Sequence, residues 1–143
     1  MGKPLTGTSS KKSPMHYSVG ALITKKGEIL MIERNKEPFG WACVAGHIDE
    51  GENKDESLVR EVKEESGLDV THYELLMEEE VTNNTCSRGI DIHYWYVYSC
   101  EVIGEFVDNP EEVKKIKWIK IEDLPTLNLE PVWKYWFEKL NII

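Results

Sequence analysis

The spacing of apolar residues alternates between a strand period and a helix period, and the switches mark the elements. YSVGALIT and EILMIER are apolar runs parted by Lys25-Lys26-Gly27, which predicts a hairpin. Trp41 to Ala45 reads as a short strand that feeds Gly46, after a loop at Glu37-Pro38-Phe39-Gly40. Leu58 and Val62 stand four apart with Val59 beside them, the apolar stripe of a helix. Strand patterns return over Asp69 to Val81 and over Ile92 to Val102. In the second, Ile92, Tyr94, Tyr96 and Tyr98 alternate with His93, Trp95, Val97 and Ser99, so both faces are partly covered. One of these aromatics is a candidate to stack on a base, although sheet packing accounts for most of them. A further strand spans Val113 to Ile121 and carries Trp118. The last element is a helix from about Glu130 to Leu140, with Pro131 in its first turn and Val132, Trp133, Trp136, Phe137 and Leu140 as its core face.

Strands on both sides of one helix, closed by an amphipathic helix, predict an α/β chain with a mixed sheet between helices. Residues 1–14 (MGKPLTGTSSKKSP) lack apolar periodicity and are expected to be a flexible N-terminal arm or an expression leader ahead of a start at Met15. Residues 15–143 then form a single domain, without internal repeats or a separating linker.

Composition narrows the partners. No run of apolar residues approaches the length of a membrane span, and no signal peptide opens the chain. Cys43, Cys86 and Cys100 are an odd set without metal-ligand spacing, read as reduced thiols of a cytoplasmic protein. The net charge of −9 argues against nucleic acid held by charge attraction.

That charge is concentrated. From Gly46 to Leu68, eight acids face three bases, which is costly unless cations are drawn in. Asn53 and Glu56 form a capping-box pattern, and Gly67 suits the left-handed residue after the helix end. At about 100° per residue, Glu61, Glu64 and Glu65 make one contiguous patch that borders the Leu58–Val62 stripe. A solvated acidic face is the plain reading. Against it, acids three and four apart repel within a helix, and oxygen-only clusters are what Mg²⁺ or Mn²⁺ select. Glu78-Glu79-Glu80 is a second acidic run, on an exposed or metal-facing edge.

Gly46, Glu52, Arg60, Glu61, Val62, Glu64, Glu65, Gly67 and Leu68 resemble, with every spacing kept, the signature G-x5-E-x7-R-E-U-x-E-E-x-G-U of the Nudix hydrolases, U being bulky and aliphatic. The resemblance implies an α/β/α sandwich and metal-dependent hydrolysis of a diphosphate linkage. It implies catalytic roles for Glu61, Glu64 and Glu65, with Arg60 and Glu52 in support. Metal would be held by these three glutamates, the Gly46 carbonyl and Glu112; Glu111 is a second loop candidate for the general base. Where the family often has Pro-Gly-Gly, this chain has Ala45-Gly46-His47. His47 is read as structural, with phosphate contact as the alternative.

The expected substrate is a nucleoside diphosphate linked to another group, such as a nucleoside triphosphate. Nucleotide sugars and ADP-ribose are alternatives, as is an RNA-end pyrophosphohydrolase. A non-catalytic ligand sensor of the same fold is the alternative of another class. At the positions where diadenosine polyphosphate hydrolases tend to carry tyrosine stand Asn84 and Thr85, and Asn83 replaces the proline typical of ADP-ribose hydrolases. The oligomeric state is open, a homodimer included.

Overall fold

In the computed structural model, residues 2–86, 88–107 and 113–143 are described. The elements in chain order are β1 (Thr6–Thr8), β2 (Pro14–Lys25), β3 (Glu28–Glu33), β4 (Trp41–Ala42), β5 (Val44–His47), α1 (Lys54–Ser66), β6 (Asp69–Val81), β7 (Ile92–Ile103), β8 (Lys115–Lys120), a 3₁₀ helix (Ile121–Thr126) and α2 (Pro131–Lys139).

The hairpin predicted at Lys25-Lys26-Gly27 joins β2 to β3. Lys26 and Gly27 take φ of 53° and 79°, so both turn residues are left-handed, and the turn twists in the sense of its strands. Strand β2 is the hub of the mixed sheet. It pairs in parallel with β7 along Met15 to Ile23, and antiparallel with β5 along Ser18 to Ala21. Its ends pair with β1 and β3; β6 extends the sheet beyond β7, and β8 and β4 flank β3.

Parity along the strands assigns the helices to opposite faces. Tyr98 and Tyr96 project towards α1, where Asp55 accepts the Tyr98 hydroxyl at 2.8 Å and the Lys54 ammonium sits over the Tyr96 ring. Trp95, one step out of phase, packs on Trp133 and Trp136 of α2 with ring centroids 5.9 and 6.1 Å apart. Gly20 shares that face, and a Cβ there would stand 2.7 Å from the Trp133 ring. The expected α/β/α sandwich is present.

Three expectations are corrected. Val59 is exposed and Leu140 only half-buried, so the helix core faces reduce to Leu58 and Val62, and to Val132, Trp133, Trp136 and Phe137. The Glu78–Glu80 run takes the exposed alternative rather than the metal-facing one, and among the described residues it meets no candidate metal group. Glu78 accepts the Tyr94 hydroxyl, Glu79 takes Tyr135 and Lys139, and Glu80 holds Ser10. Residues 2–14, expected to be a flexible arm, include strand β1 and pair further on. Leu5 donates to the Ile48 carbonyl, Glu50 donates to the Lys3 carbonyl, and Pro4 bridges Asp49. Backbone pairing of this kind requires no apolar pattern, so the polar sequence carries no sign of it.

Replacing Gly20 with valine must push Trp133 out of its packing. The expected loss is about 1–3 kcal/mol of stability; an unaltered denaturation midpoint for Gly20→Val would refute the close packing of β2 on α2.

Candidate active site

Helix α1 begins and ends as its sequence dictates. The Asn53 side chain accepts the Glu56 N–H at 2.8 Å, and the Glu56 carboxylate accepts the Asn53 N–H at 3.0 Å. Gly67, at φ 80°, closes the helix by donating its N–H to the Lys63 carbonyl. Burial of Leu58 and Val62 against the sheet sets the rotation of the helix. Glu61 and Glu65 are left at the edge of the core, while the Glu64 side chain is 54% exposed.

Arg60 ties this face to the preceding loop. Its Nε and Nη2 donate to the two oxygens of Glu52 at 2.6 and 2.9 Å, a bidentate fork. Its Nη1 reaches Glu61 at 2.8 Å and Glu64 at 3.1 Å. Nη2 also donates to the His47 carbonyl at 3.0 Å and lies 3.3 Å from Asp49. Glu52 in turn accepts the Asp49 N–H at 2.9 Å. The Arg60 hydrogen bonds hold the Glu52 carboxyl below its usual range, and Glu52 pushes the Arg60 pKa up.

Glu61 and Glu65 rest on strand β5. The Glu61 carboxylate lies so close over Gly46 that a Cβ on that residue would overlap it. Glu65 accepts the Ala45 N–H at 2.9 Å. Burial raises the Glu61 pKa to about 7; Arg60 works against that shift, while Glu64 and Asp49 add to it. Asp49, Glu52, Glu61 and Glu64 therefore share one cationic side chain, Arg60, and with Glu65 beside them the all-oxygen donor set fits a hard divalent cation. Of the sequence-derived set, Gly46, Glu52, Arg60, Glu61, Glu64 and Glu65 come together here. Glu111 and Glu112 lie outside the described residues.

These groups border a cleft of about 510 Å³. Trp95, one of the β7 aromatics read as candidates to stack on a base, also lines it, as do Arg34, Lys36, Arg88 and Glu130, which the pattern of the sequence does not single out as a site. Arg34 is held by the Pro38 carbonyl at 2.7 Å. Trp95 donates its indole N–H to Asn84 at 2.9 Å. Glu130, read from sequence only as the start of the last helix, is buried, and burial raises its pKa to about 7 against the opposing charge of Arg34.

The NUDIX domain profile matches residues 14–140. This chain belongs to the Nudix hydrolase family. Among its relatives, the ADP-ribose pyrophosphatase of Methanocaldococcus jannaschii is 30% identical over 112 residues, covering 77% of this chain and 64% of that protein. The NAD-capped RNA hydrolase NudC of Stutzerimonas stutzeri is 29% identical over 111 residues, and the match spans 38% of its length. The Nudix chain thus covers well under half of that relative. Of solved structures, a MutT Nudix hydrolase from Burkholderia pseudomallei aligns with a TM-score of 0.76 at 25% identity, over 87% of this chain and 96% of that one. The Nudix domain of Shewanella oneidensis NrtR, solved with ADP ribose, shares the fold with a TM-score of 0.68 at 19% identity, over 87% and 85% of the two chains. Nudix hydrolases generally use divalent metal ions, in keeping with the carboxylates gathered on α1.

Two outcomes test this geometry. Gly46→Ala should displace Glu61 and lower metal-dependent turnover at least about tenfold while the fold persists; full activity would contradict the Gly46–Glu61 contact. Glu130 has a raised folded-state pKa, so the native state binds its proton more tightly than the unfolded chain. Its contribution is intact below about pH 4.5 and is lost as pH rises to about 7. Glu130→Gln should therefore match the parent near pH 4.5 and exceed its stability by at most about 3 kcal/mol above pH 7. Equal unfolding free energies across that range would contradict the burial.

Proposed function

We propose that this Nudix chain hydrolyses the diphosphate linkage of a small nucleoside diphosphate derivative, using Mg²⁺ or Mn²⁺ held by Glu61, Glu64, Glu65 and the Gly46 carbonyl. The observation that carries this reading is the single guanidinium of Arg60 bracing Glu52, Glu61 and Glu64 beside Gly46 at the edge of a nucleotide-sized cleft. When bound, the cation supplies an activated water and neutralises charge on the phosphate oxygens.

The chain's own residues do the rest. Glu52 fixes Arg60, and Arg60 fixes the rotamers of Glu61 and Glu64, so the carboxylates are preorganised rather than mobile. The Ala45 N–H orients Glu65. Glu64 reaches furthest into solvent and is the best-placed group to accept the proton of the attacking water. Arg34, Lys36 and Arg88 supply positive charge to the cleft for the substrate phosphates. Three unpaired thiols accord with a cytoplasmic setting.

A nucleoside triphosphate is the first reading of the substrate, and the 30% identity to an ADP-ribose pyrophosphatase supports ADP-ribose as the second. Both contain the bond the site is suited to break. A sensor role is disfavoured because the box carboxylates are all present, Glu52, Glu61 and Glu64 held by Arg60 and Glu65 by the Ala45 N–H.

Release of phosphate, pyrophosphate or nucleoside monophosphate should be measured with Mg²⁺ across nucleoside triphosphates, ADP-ribose and nucleotide sugars. Turnover should fall at least about a hundredfold in Glu64→Gln. Undiminished turnover in that variant sinks the assignment of the site, and saturable binding without hydrolysis across the panel favours the sensor.

A further inference from the structure

A second set of potential ligands lies outside the carboxylate group, on the other face of β5. Register explains how it forms. His16 on β2 stands opposite His93 on β7, and Ser18, two residues along β2, stands opposite His47 on β5. Parity therefore turns all three imidazoles to the α2 face, away from Gly46 and Glu61. The loop between β6 and β7 brings Cys86 to them through a tight turn, in which Cys86 donates its N–H to the Ile90 carbonyl and accepts that of Gly89.

We propose that His16, His47, His93 and Cys86 form a binding site for one Zn²⁺-like ion, distinct from the hard-cation site on α1. One ligand atom from each of the four residues lies within 4.8 Å of the others. The Nε2 atoms of His47 and His93 are 3.4 Å apart, and Cys86 Sγ is 3.9 Å from His16 Nδ1. Zinc bonds of about 2.0–2.1 Å to nitrogen and 2.3 Å to sulfur require tetrahedral donors roughly 3.3–3.6 Å apart. The first pair meets that spacing, and small rotations of the half-buried His47 and Cys86 bring in the second.

The donors select the metal. Imidazole and thiolate prefer zinc and related ions, whereas carboxylates prefer Mg²⁺, so one cleft sorts two metals by ligand chemistry. The far nitrogen of His93, Nδ1, is buried without a well-formed hydrogen bond, with the Asn84 backbone as the polar group acting on it. Metal on Nε2 would fix the proton on Nδ1 and aim it at that backbone.

Such an ion would fasten the loop at Cys86 to β2, β5 and β7. It would also steady the His47 carbonyl that holds Arg60 and Ser57. Asn84, Thr85 and Arg88 of that loop line the cleft, so occupancy would set the shape of the substrate wall.

Metal-stripped protein should be titrated with Co²⁺ in excess Mg²⁺, which keeps the carboxylates occupied. One equivalent should bind with tetrahedral ligand-field bands and a thiolate charge-transfer band. Cys86→Ser should abolish the charge-transfer band, and His16→Ala or His93→Ala should weaken binding at least about a hundredfold. His72→Ala, an exposed histidine, and Glu64→Gln should leave the spectrum unchanged. Zn²⁺ should displace the Co²⁺ and raise the melting temperature of the parent but not of Cys86→Ser. Absence of saturable binding, a spectrum indifferent to Cys86→Ser, or one lost in Glu64→Gln would overturn the site. The last result would place the ion on the carboxylates and leave the hydrolase reading standing.

Discussion

The structure depends on one guanidinium holding apart carboxylates that would otherwise repel. Arg60 contacts Asp49, Glu52, Glu61 and Glu64, and its geometry is fixed because Glu52 takes two of its donors in a fork. A lysine could neutralise one acid but could not span loop and helix in this way. The grip joins two pieces of chain whose local signals are separate: a capped helix and a loop that returns from β5. Without it the acids would turn outward into solvent, and the helix would be an acidic surface.

That arrangement in turn relies on β2. It is buried almost throughout, and it pairs with four other strands, so each of its residues fixes a register elsewhere. Val19 sets the position of Gly46, and Gly46 accommodates Glu61 because it has no side chain. Gly20, the next residue along, does the same service on the opposite face for Trp133. Two adjacent backbone positions thus seat α1 and α2 at the distances the site requires.

Most of this was legible in the chain. The helix caps, the strand over Asp69–Val81 and the apolar faces of both helices follow from local pattern, because each depends on residues close in sequence. The carboxylate set was legible because Arg60, Glu61, Glu64 and Glu65 lie within two turns of one helix. Val59 misled, since three apolar residues near one another do not all fit beneath a helix whose rotation Leu58 and Val62 already decide. Other features depend on register between distant strands. His16, His47, Cys86 and His93 are far apart in sequence, and only pairing across β2, β5 and β7 makes them neighbours. Glu130 is similar: its burial arises from a cleft wall built by β3 and the loop after it, not from its own surroundings in the chain.

Strand β5 serves two masters at consecutive positions, with Gly46 facing one layer and His47 the other. Deletion of a single residue between Val44 and Gly46 would exchange those faces, lodging an imidazole against Glu61 and setting Ile48 among the other histidines. Length changes in this chain can therefore accumulate only where no alternation is read. Residues 34–40 and 82–86 meet that condition, and both stretches border the cleft. New substrate preferences would thus arise by loop growth around a strand of fixed length, while the bond-breaking apparatus stays where the register holds it.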